Sequence, residues 1–503
     1  MDESGSRPRE IIHSADVTTT LFIGGSREVA CGPDGRILGV GRGAAAAAGP
    51  GARWIALQGR VLPGLHDAHL HLSGLADAEL TVDLTTARSL EDALGRIARA
   101  VPRLGPDEWV VGRGWYAQRW AQQPEAKALD TVVGDRPAFL VQRDGHSSWV
   151  SSAALRAAGI DAGTQDPPGG RIDRDAEGNP AGVLRERAQD LVRRILPEPP
   201  DEVRDRGLAR ALRRLAASGL TSVSCMDQAP ILRSLQRLHE AARLPIRVTY
   251  NLPVADLERA VEVGVRSGLG DDRLRIWGVK AFLDGALGSG TALMSGGSGV
   301  RQYATGALRE IAETCAAAEL NVAWHAIGDL AVHQALDALE PLVGFWSRWR
   351  PRIEHAQFVQ TDDRARMARL GVVASMQPSH AVTDRELVRR EWAEAAPLGY
   401  AWRPLVEAGV VLAFGSDAPV EPADPLHGID AATEWRRRVE WLPELALSES
   451  EAVRASTWGA AYAVGMEDRL GSLYRGRLCD LTVVDDGRAT ATVVGGEVVW
   501  QHR

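Results

Sequence analysis

Six side chains able to hold a metal ion or move a proton stand at or near the ends of short apolar runs. They are His69 and His71 in VLPGLHDAHLHL, Lys280 in RIWGVKAFLDG, His325 in NVAWHAIGD, His355 in RIEHAQ and Asp417 in VVLAFGSD. Imidazole and carboxylate together suit zinc or a similar first-row ion. His69 and His71 are two residues apart, so a strand there would point both to one side. Each member alone has an ordinary explanation: a structural His-x-His, a satisfied core histidine, an aspartate capping a turn. The case for a site rests on their coincidence at five separate run ends.

Lys280 stands out by composition. Of the 58 basic residues only Lys127 and Lys280 are lysines. A chain that writes arginine wherever a cation suffices keeps lysine where arginine cannot serve. A cationic ammonium would be repelled by metal ions, whereas a lysine amine can add carbon dioxide and become an anionic carbamate that bridges two of them. The alternative is a plain cation paired with Asp284 or with substrate.

The runs must be positioned by a fold. From about residue 203 helical and strand patterns alternate: RGLARALRRLAASG places Leu208, Leu212 and Leu215 on one face, then TSVSCMD reads as a strand. IRVTYN, RIWGVKAFLDG, NVAWHAIGD, RIEHAQ, VVASMQP and VVLAFGSD follow. With the run at 61–72 these make eight strands, which predicts a (β/α)8 TIM barrel of residues 61–72 and 203–468. An open doubly wound sheet is the alternative, but no GxGxxG or P-loop fingerprint supports it. Barrel active sites lie at the C-terminal strand ends, where the candidate ligands fall. Residues 73–202 are too many for a loop and carry strands of their own, so they predict an inserted α+β subdomain over the active site. Residues 1–60 and 469–503 are rich in short strands and predict a small β-sandwich built from both termini.

The opening run resembles the first motif of the metal-dependent amidohydrolase superfamily. VKAFLDGALGSGTA, WHAIGDLAV, RIEHAQ, SMQPSH and FGSDAPV together resemble its YtcJ-like branch, which includes N-substituted formamide deformylases and related amidases. GSLYRGRLCDLTVVD and VVGGEVVW are similar to that superfamily's C-terminal sandwich, and DGHSSWVSSAAL and GGRIDRDAEGNPAGVLRE match typical segments of the insertion. The branch often has Arg where Gly290 stands and Asn where Ser151 stands, which marks both as candidate changes in the substrate pocket.

The resemblance implies that His69, His71 and Asp417 hold one ion and His325 and His355 another, bridged by a carboxylated Lys280. Some relatives use a single metal, so one or two divalent ions, zinc first, both stay open. The implied chemistry is attack of a metal-activated water on a carbonyl, with Asp417 taking the proton and returning it to the leaving nitrogen. His146 in RDGHSSW is a candidate donor to the oxyanion, with a surface loop histidine as the alternative. Asp284, Gln377 and His380 are further polar candidates for substrate binding. Trp115, Trp149 and Trp324 are aromatic ones, in a chain with 15 Trp against 6 Phe and 6 Tyr.

The expected activity is hydrolysis of a non-peptide C–N bond in a small molecule: an amide, formamide or N-acyl amine. Heterocycle deamination, cyclic-amide hydrolysis and decarboxylation on the same fold are alternatives, and an inactive binding protein is a distant one. A net charge of −8 argues against a nucleic-acid partner. Four scattered cysteines, no signal-peptide pattern and no long apolar run predict a cytoplasmic protein away from membranes, with a homodimer left open.

Overall fold

The computed structural model describes residues 19–502, apart from residues 26, 106–107, 117–119, 143–146, 289, 297–298, 343 and 345–348. Contacts divide the chain into Met1–His71 with Leu212–Arg503, and Leu72–Ala211.

In the first unit eight parallel strands run in barrel order: β1 (Leu65–Leu70), β2 (Leu220–Cys225), β3 (Arg247–Pro253), β4 (Leu274–Phe282), β5 (Asn321–Ala326), β6 (Arg352–His355), β7 (Val373–Met376) and β8 (Leu412–Phe414). They coincide with the eight predicted runs. Every residue of β1, β2, β3 and β5 is buried, as expected where helices cover one face and the barrel interior the other. Helices Ala229–Glu240, Thr305–Ala317, Asp329–Leu339 and Thr361–Leu370 are among the connections. The last of these stops at Gly371, whose φ of 67° is the left-handed conformation that ends many helices. Just beyond β8 and β1 the ring is joined by two backbone bonds: Asp417 N–H donates to the His69 carbonyl at 2.7 Å, and His71 N–H to that of Ala418 at 2.8 Å.

Two four-stranded sheets form the sandwich. One contains Ile37–Val40, Arg27–Cys31, Thr20–Gly24 and Arg53–Leu57; the other Glu497–Gln501, Arg488–Val494, Leu481–Asp485 and Arg60–Pro63. Phe22, Val29, Ile37 and Leu57 pack with Val61, Leu481, Val483 and Val493 in one core. The expected boundary at residue 61 thus falls inside a sandwich strand, because Arg60–Pro63 pairs with Leu481–Asp485 before the chain enters β1. A buried ion pair ties β3 to this layer: Arg247 Nε and Nη2 lie 2.7 and 2.9 Å from the two Asp480 oxygens. Burial works against the Arg247 charge, but Asp480 outweighs it and raises the guanidinium pKa.

The second unit is α+β, with the six-stranded order Gly170–Arg174, Pro180–Glu186, Ser147–Val150, Ala138–Gln142, Val110–Trp115, Val82–Asp83. It extends to Ala211, inside helix Asp201–Ala217, rather than ending at 202. Ser151 is the N-cap of helix Ser152–Ala157, its Oγ accepting from Ala154 N–H at 3.2 Å. Serine and asparagine cap equally well, so a cap explains this position without a change in any pocket. Among the described residues no helix is long and apolar enough to cross a membrane.

Removing one partner of the buried Arg247–Asp480 pair leaves an uncompensated charge, which typically costs about 3 kcal/mol or more. Asp480→Ala should therefore lower the unfolding midpoint clearly, measured by denaturant titration of the metal-free protein. An unchanged midpoint would refute this reading of the pair.

Candidate metal centre

Donor groups from β1, β4, β5, β6 and the turn after β8 meet at one end of the barrel. His69 is fully buried, and its Nδ1 lies 2.6 Å from Glu354 Oε2. Burial works to raise the Glu354 pKa, but Arg352 (Nε to Oε1 2.8 Å) and His69 hold it well below the usual carboxylate range. An ionised carboxylate only accepts, so Nδ1 carries the proton and Nε2 keeps its lone pair. That nitrogen faces Asp417 Oδ1 and Lys280 Nζ, each at 3.5 Å.

The other histidines are set in the same way. His355 Nδ1 lies 2.8 Å from Gln377 Oε1, while the Gln377 amide nitrogen donates to the Ser375 carbonyl; Nδ1 is the donor and Nε2 is free. His325 Nε2 donates to the Gly285 carbonyl at 3.0 Å, which leaves Nδ1 as its free atom. His71 places Nδ1 3.5 Å from Asp227 Oδ1 and Nε2 3.3 Å from Asp417 Oδ1. The rings of His69 and His355 lie 4.9 Å apart, and those of His325 and His355 4.4 Å.

Electrostatics fit an ion. Burial, then the Lys280 charge, brings His69 down to about 4 and His325 to about 3, so both are neutral ligands at ordinary pH. Burial works to lower His71, but Asp227 and Asp417 raise it to about 9. Asp417 would be raised by burial, yet His380, His71, His69 and His355 hold its carboxyl far below the usual range. Among the described residues two groups have donor atoms within 4.8 Å of one another: His69, His71 and Asp417; and His355, His380 and Asp417. His380 Nε2 is buried without hydrogen-bond geometry to any described partner, although Asp417 Oδ2 is 3.3 Å away. Neutral His69, His325 and His355 with fixed lone pairs, and His71 once it gives up its proton, surround an ionised carboxylate and form a donor set that fits a divalent transition metal.

Of the expected substrate groups, His380 sits among these donors and Gln377 holds His355. Asp284 is occupied by backbone: its oxygens accept from Leu293, Ile327 and Gly328 N–H at 3.0, 3.0 and 2.8 Å. The three tryptophans are core residues. Trp115 and Trp149 are packed in the inserted unit, with indole N–H groups donated to the Leu140 and Glu125 carbonyls. Trp324 is fully buried on the strand face opposite His325. The aromatic ring at the centre is Phe282, 47% exposed, 5.1 Å from the His325 ring and 4.7 Å from Lys280 Nζ. Gly290 has φ 65°, a left-handed conformation that strains any residue with a Cβ, although nothing among the described residues crowds the position. His146 lies outside the described residues.

Glu354, Arg352 and Asp227 are the supporting groups that sequence reading missed. Strict alternation would turn Glu354 away from the side that His355 faces. Positive φ at His355 (72°) and Ala356 (41°) breaks that alternation, so both neighbours reach His69.

The model of the Amidohydrolase family matches residues 53–499. A putative amidohydrolase, YtcJ, of Bacillus subtilis is 29% identical over 98% of this chain and 99% of its own. An N-substituted formamide deformylase of Arthrobacter pascens is 30% identical over 90% of this chain and 88% of its own. The crystal structure of an uncharacterized metal-dependent hydrolase from Pyrococcus furiosus superposes with a TM-score of 0.75 at 30% identity, covering 92% of this chain and 97% of that one.

An ion must displace the proton that His71 retains in the metal-free protein, where Asp227 and Asp417 raise its pKa to about 9. Loading near neutral pH should release about one proton, and affinity should fall about tenfold per unit as pH drops from about 8 to about 6. Calorimetry in buffers of different ionisation heat reads the proton count; a pH-independent affinity would contradict the assignment.

Proposed function

The chain belongs to the amidohydrolase family, and from that premise we propose that it is a metal-dependent hydrolase of a non-peptide C–N bond, an amide, formamide or N-acyl amine. The observation that carries this is the convergence of His69, His71, His325, His355 and Asp417, with Lys280 among them, at the C-terminal end of one barrel. The similarity to an N-substituted formamide deformylase supports the choice of bond. Zinc suits the nitrogen and carboxylate donors best. Four buried cysteines, none in a disulfide, favour a reducing compartment, the cytoplasm.

When bound, the ion supplies Lewis acidity: it acidifies water and polarises a carbonyl. His69, His71 and Asp417 would hold one ion. His355 and His325 would contribute to a second, with His380 close to the shared carboxylate. Asp417 is held ionised, so it can accept a proton from the attacking water. It then returns that proton to the leaving nitrogen, which departs as a neutral amine. Glu354 and Gln377 keep His69 and His355 in the tautomers that leave Nε2 free.

Lys280 is 3% exposed, and among the described residues no carboxylate lies within 4.0 Å of its Nζ. Burial lowers its pKa to about 8, so roughly a tenth of the amine is neutral near pH 7. We infer that after carboxylation it would serve as a further anionic ligand for the ions these residues would hold. The neutral nitrogen forms a bond to the carbon of carbon dioxide and loses one proton, giving a carbamate anion and a released proton.

Two experiments test these readings. Chelation should abolish turnover of a panel of formamides and N-acyl amines, and zinc should restore it. Ammonia released from a heterocycle without amide cleavage would favour a deaminase, and full activity without metal would sink the proposal. In a Lys280 series, Lys280→Ala and Lys280→Arg should both lose bound metal and activity, while Lys280→Glu keeps part of the metal because it restores an anion. Normal metal content and rate in Lys280→Arg would exclude the carbamate.

A further inference from the structure

At the opposite end of the barrel a cleft of about 980 Å³ opens beside the starts of β4 and β5; Arg275, Trp277, Asn321, Arg350 and Arg469 are among its lining residues. Lys280 and His325 stand at the other ends of the same strands, so whatever fills this cleft is not the substrate of the metal centre. Three nearby arginines have acidic partners: Arg266 with Glu319 at 3.4 Å, Arg350 with Glu467 at 3.3 Å, and Arg469 with Asp272. Arg275 differs. Among the described residues no carboxylate lies within 4.0 Å of its guanidinium, and its buried Nε has no acceptor. Trp277, only 5% exposed, also has a buried indole N–H without an acceptor.

Arg275 is nonetheless held in place. Its Cζ stacks 5.0 Å over the Trp277 ring and its Nη1 touches Met466 Sδ. A Cβ on Gly268 would come within 3.0 Å of Nη2, and one on Gly465 would collide with the Trp277 ring at 2.2 Å. Gly465 must stay small for the stack to form, while Gly268 leaves the guanidinium close contact on its other side. A fixed, part-buried guanidinium without a counter-ion is short of negative charge. Burial, and then the like charge of Arg469, push its pKa down, and the more distant Asp272, paired with Arg469, offsets this only in part. The planar fork of arginine matches phosphate and carboxylate oxygens, and such charge-assisted bonds are the strong ones. The exposed Asp468 at the rim disfavours an extended polyanion and leaves room for a compact one.

We propose that this cleft is a second ligand site that binds a small oxyanion, a phosphate or carboxylate group of a metabolite, through Arg275. The test titrates the metal-loaded wild type and Arg275→Gln with inorganic phosphate and, separately, with succinate by calorimetry. Binding at the metal centre is common to both proteins, so their difference isolates the cleft. Wild type should show a saturable event that Arg275→Gln weakens about tenfold or more, with Arg275→Lys in between and metal content unchanged. The tighter of the two probes identifies the oxyanion. Should Arg275→Gln fold poorly, Arg275→Lys keeps the charge and stem and still reads the loss of the fork. Superimposable isotherms for wild type and variants, or no event in wild type with either probe, would overturn the proposal.

Discussion

The candidate centre depends on the seam where the barrel closes. Asp417 N–H on the His69 carbonyl and His71 N–H on the Ala418 carbonyl join the turn after the last strand to the first. The same short segment supplies the carboxylate that faces His69, His71 and His380. Closing the ring and assembling the donors are thus one event. Asp417 has φ of 60°, a conformation rare for a residue with a side chain. It is over-determined here by the backbone bond on one side and three imidazoles on the other.

A second theme is how buried charge is made tolerable. Arg352 and Glu354 are completely buried, which is costly unless the pair is fully bonded. Glu354 is shared between Arg352 and His69, and Arg352 also donates to the Ala68 carbonyl and Ser375 Oγ, leaving only its Nη1 without a described partner. The network therefore reaches from the strand carrying His355 to the strand carrying His69. Without the Glu354 carboxylate, His69 would be free to adopt the wrong tautomer. Polarity at this depth is explained by orientation rather than by stability.

The fold and the donors were legible because both follow from local rules. Apolar runs alternating with helical patterns marked eight strands, and alternation placed His69 and His71 together. What stayed hidden depended on long-range or non-ideal geometry. The partnership of Glu354 with His69 needs a left-handed residue at His355, which no pattern announces. The tryptophans were misread because segments expected near the mouth fold into core, where Trp115, Trp120 and Trp149 pack edge to face or tilted at 6.3–6.5 Å. Phe282 carried a usable signal: it is two residues beyond Lys280 on one strand and so shares its face.

The sandwich joins segments from the two ends of the chain. Leu65 N–H donates to Thr482 Oγ1 across 417 residues, and Arg60–Pro63 is an edge strand of the sheet formed by the last three strands. During synthesis, at about 5–20 residues per second, that edge waits roughly twenty seconds or more for its partner. The apolar face of Phe22, Val29 and Ile37 waits with it, since about half its core comes from Cys479, Leu481, Val483, Ala491 and Val493, made hundreds of residues later. The nascent protein therefore carries an open strand edge and a bare hydrophobic face beside a barrel able to form earlier. Sandwich closure is a late, long-range step, and in that interval chaperone capture and off-pathway strand pairing compete with folding.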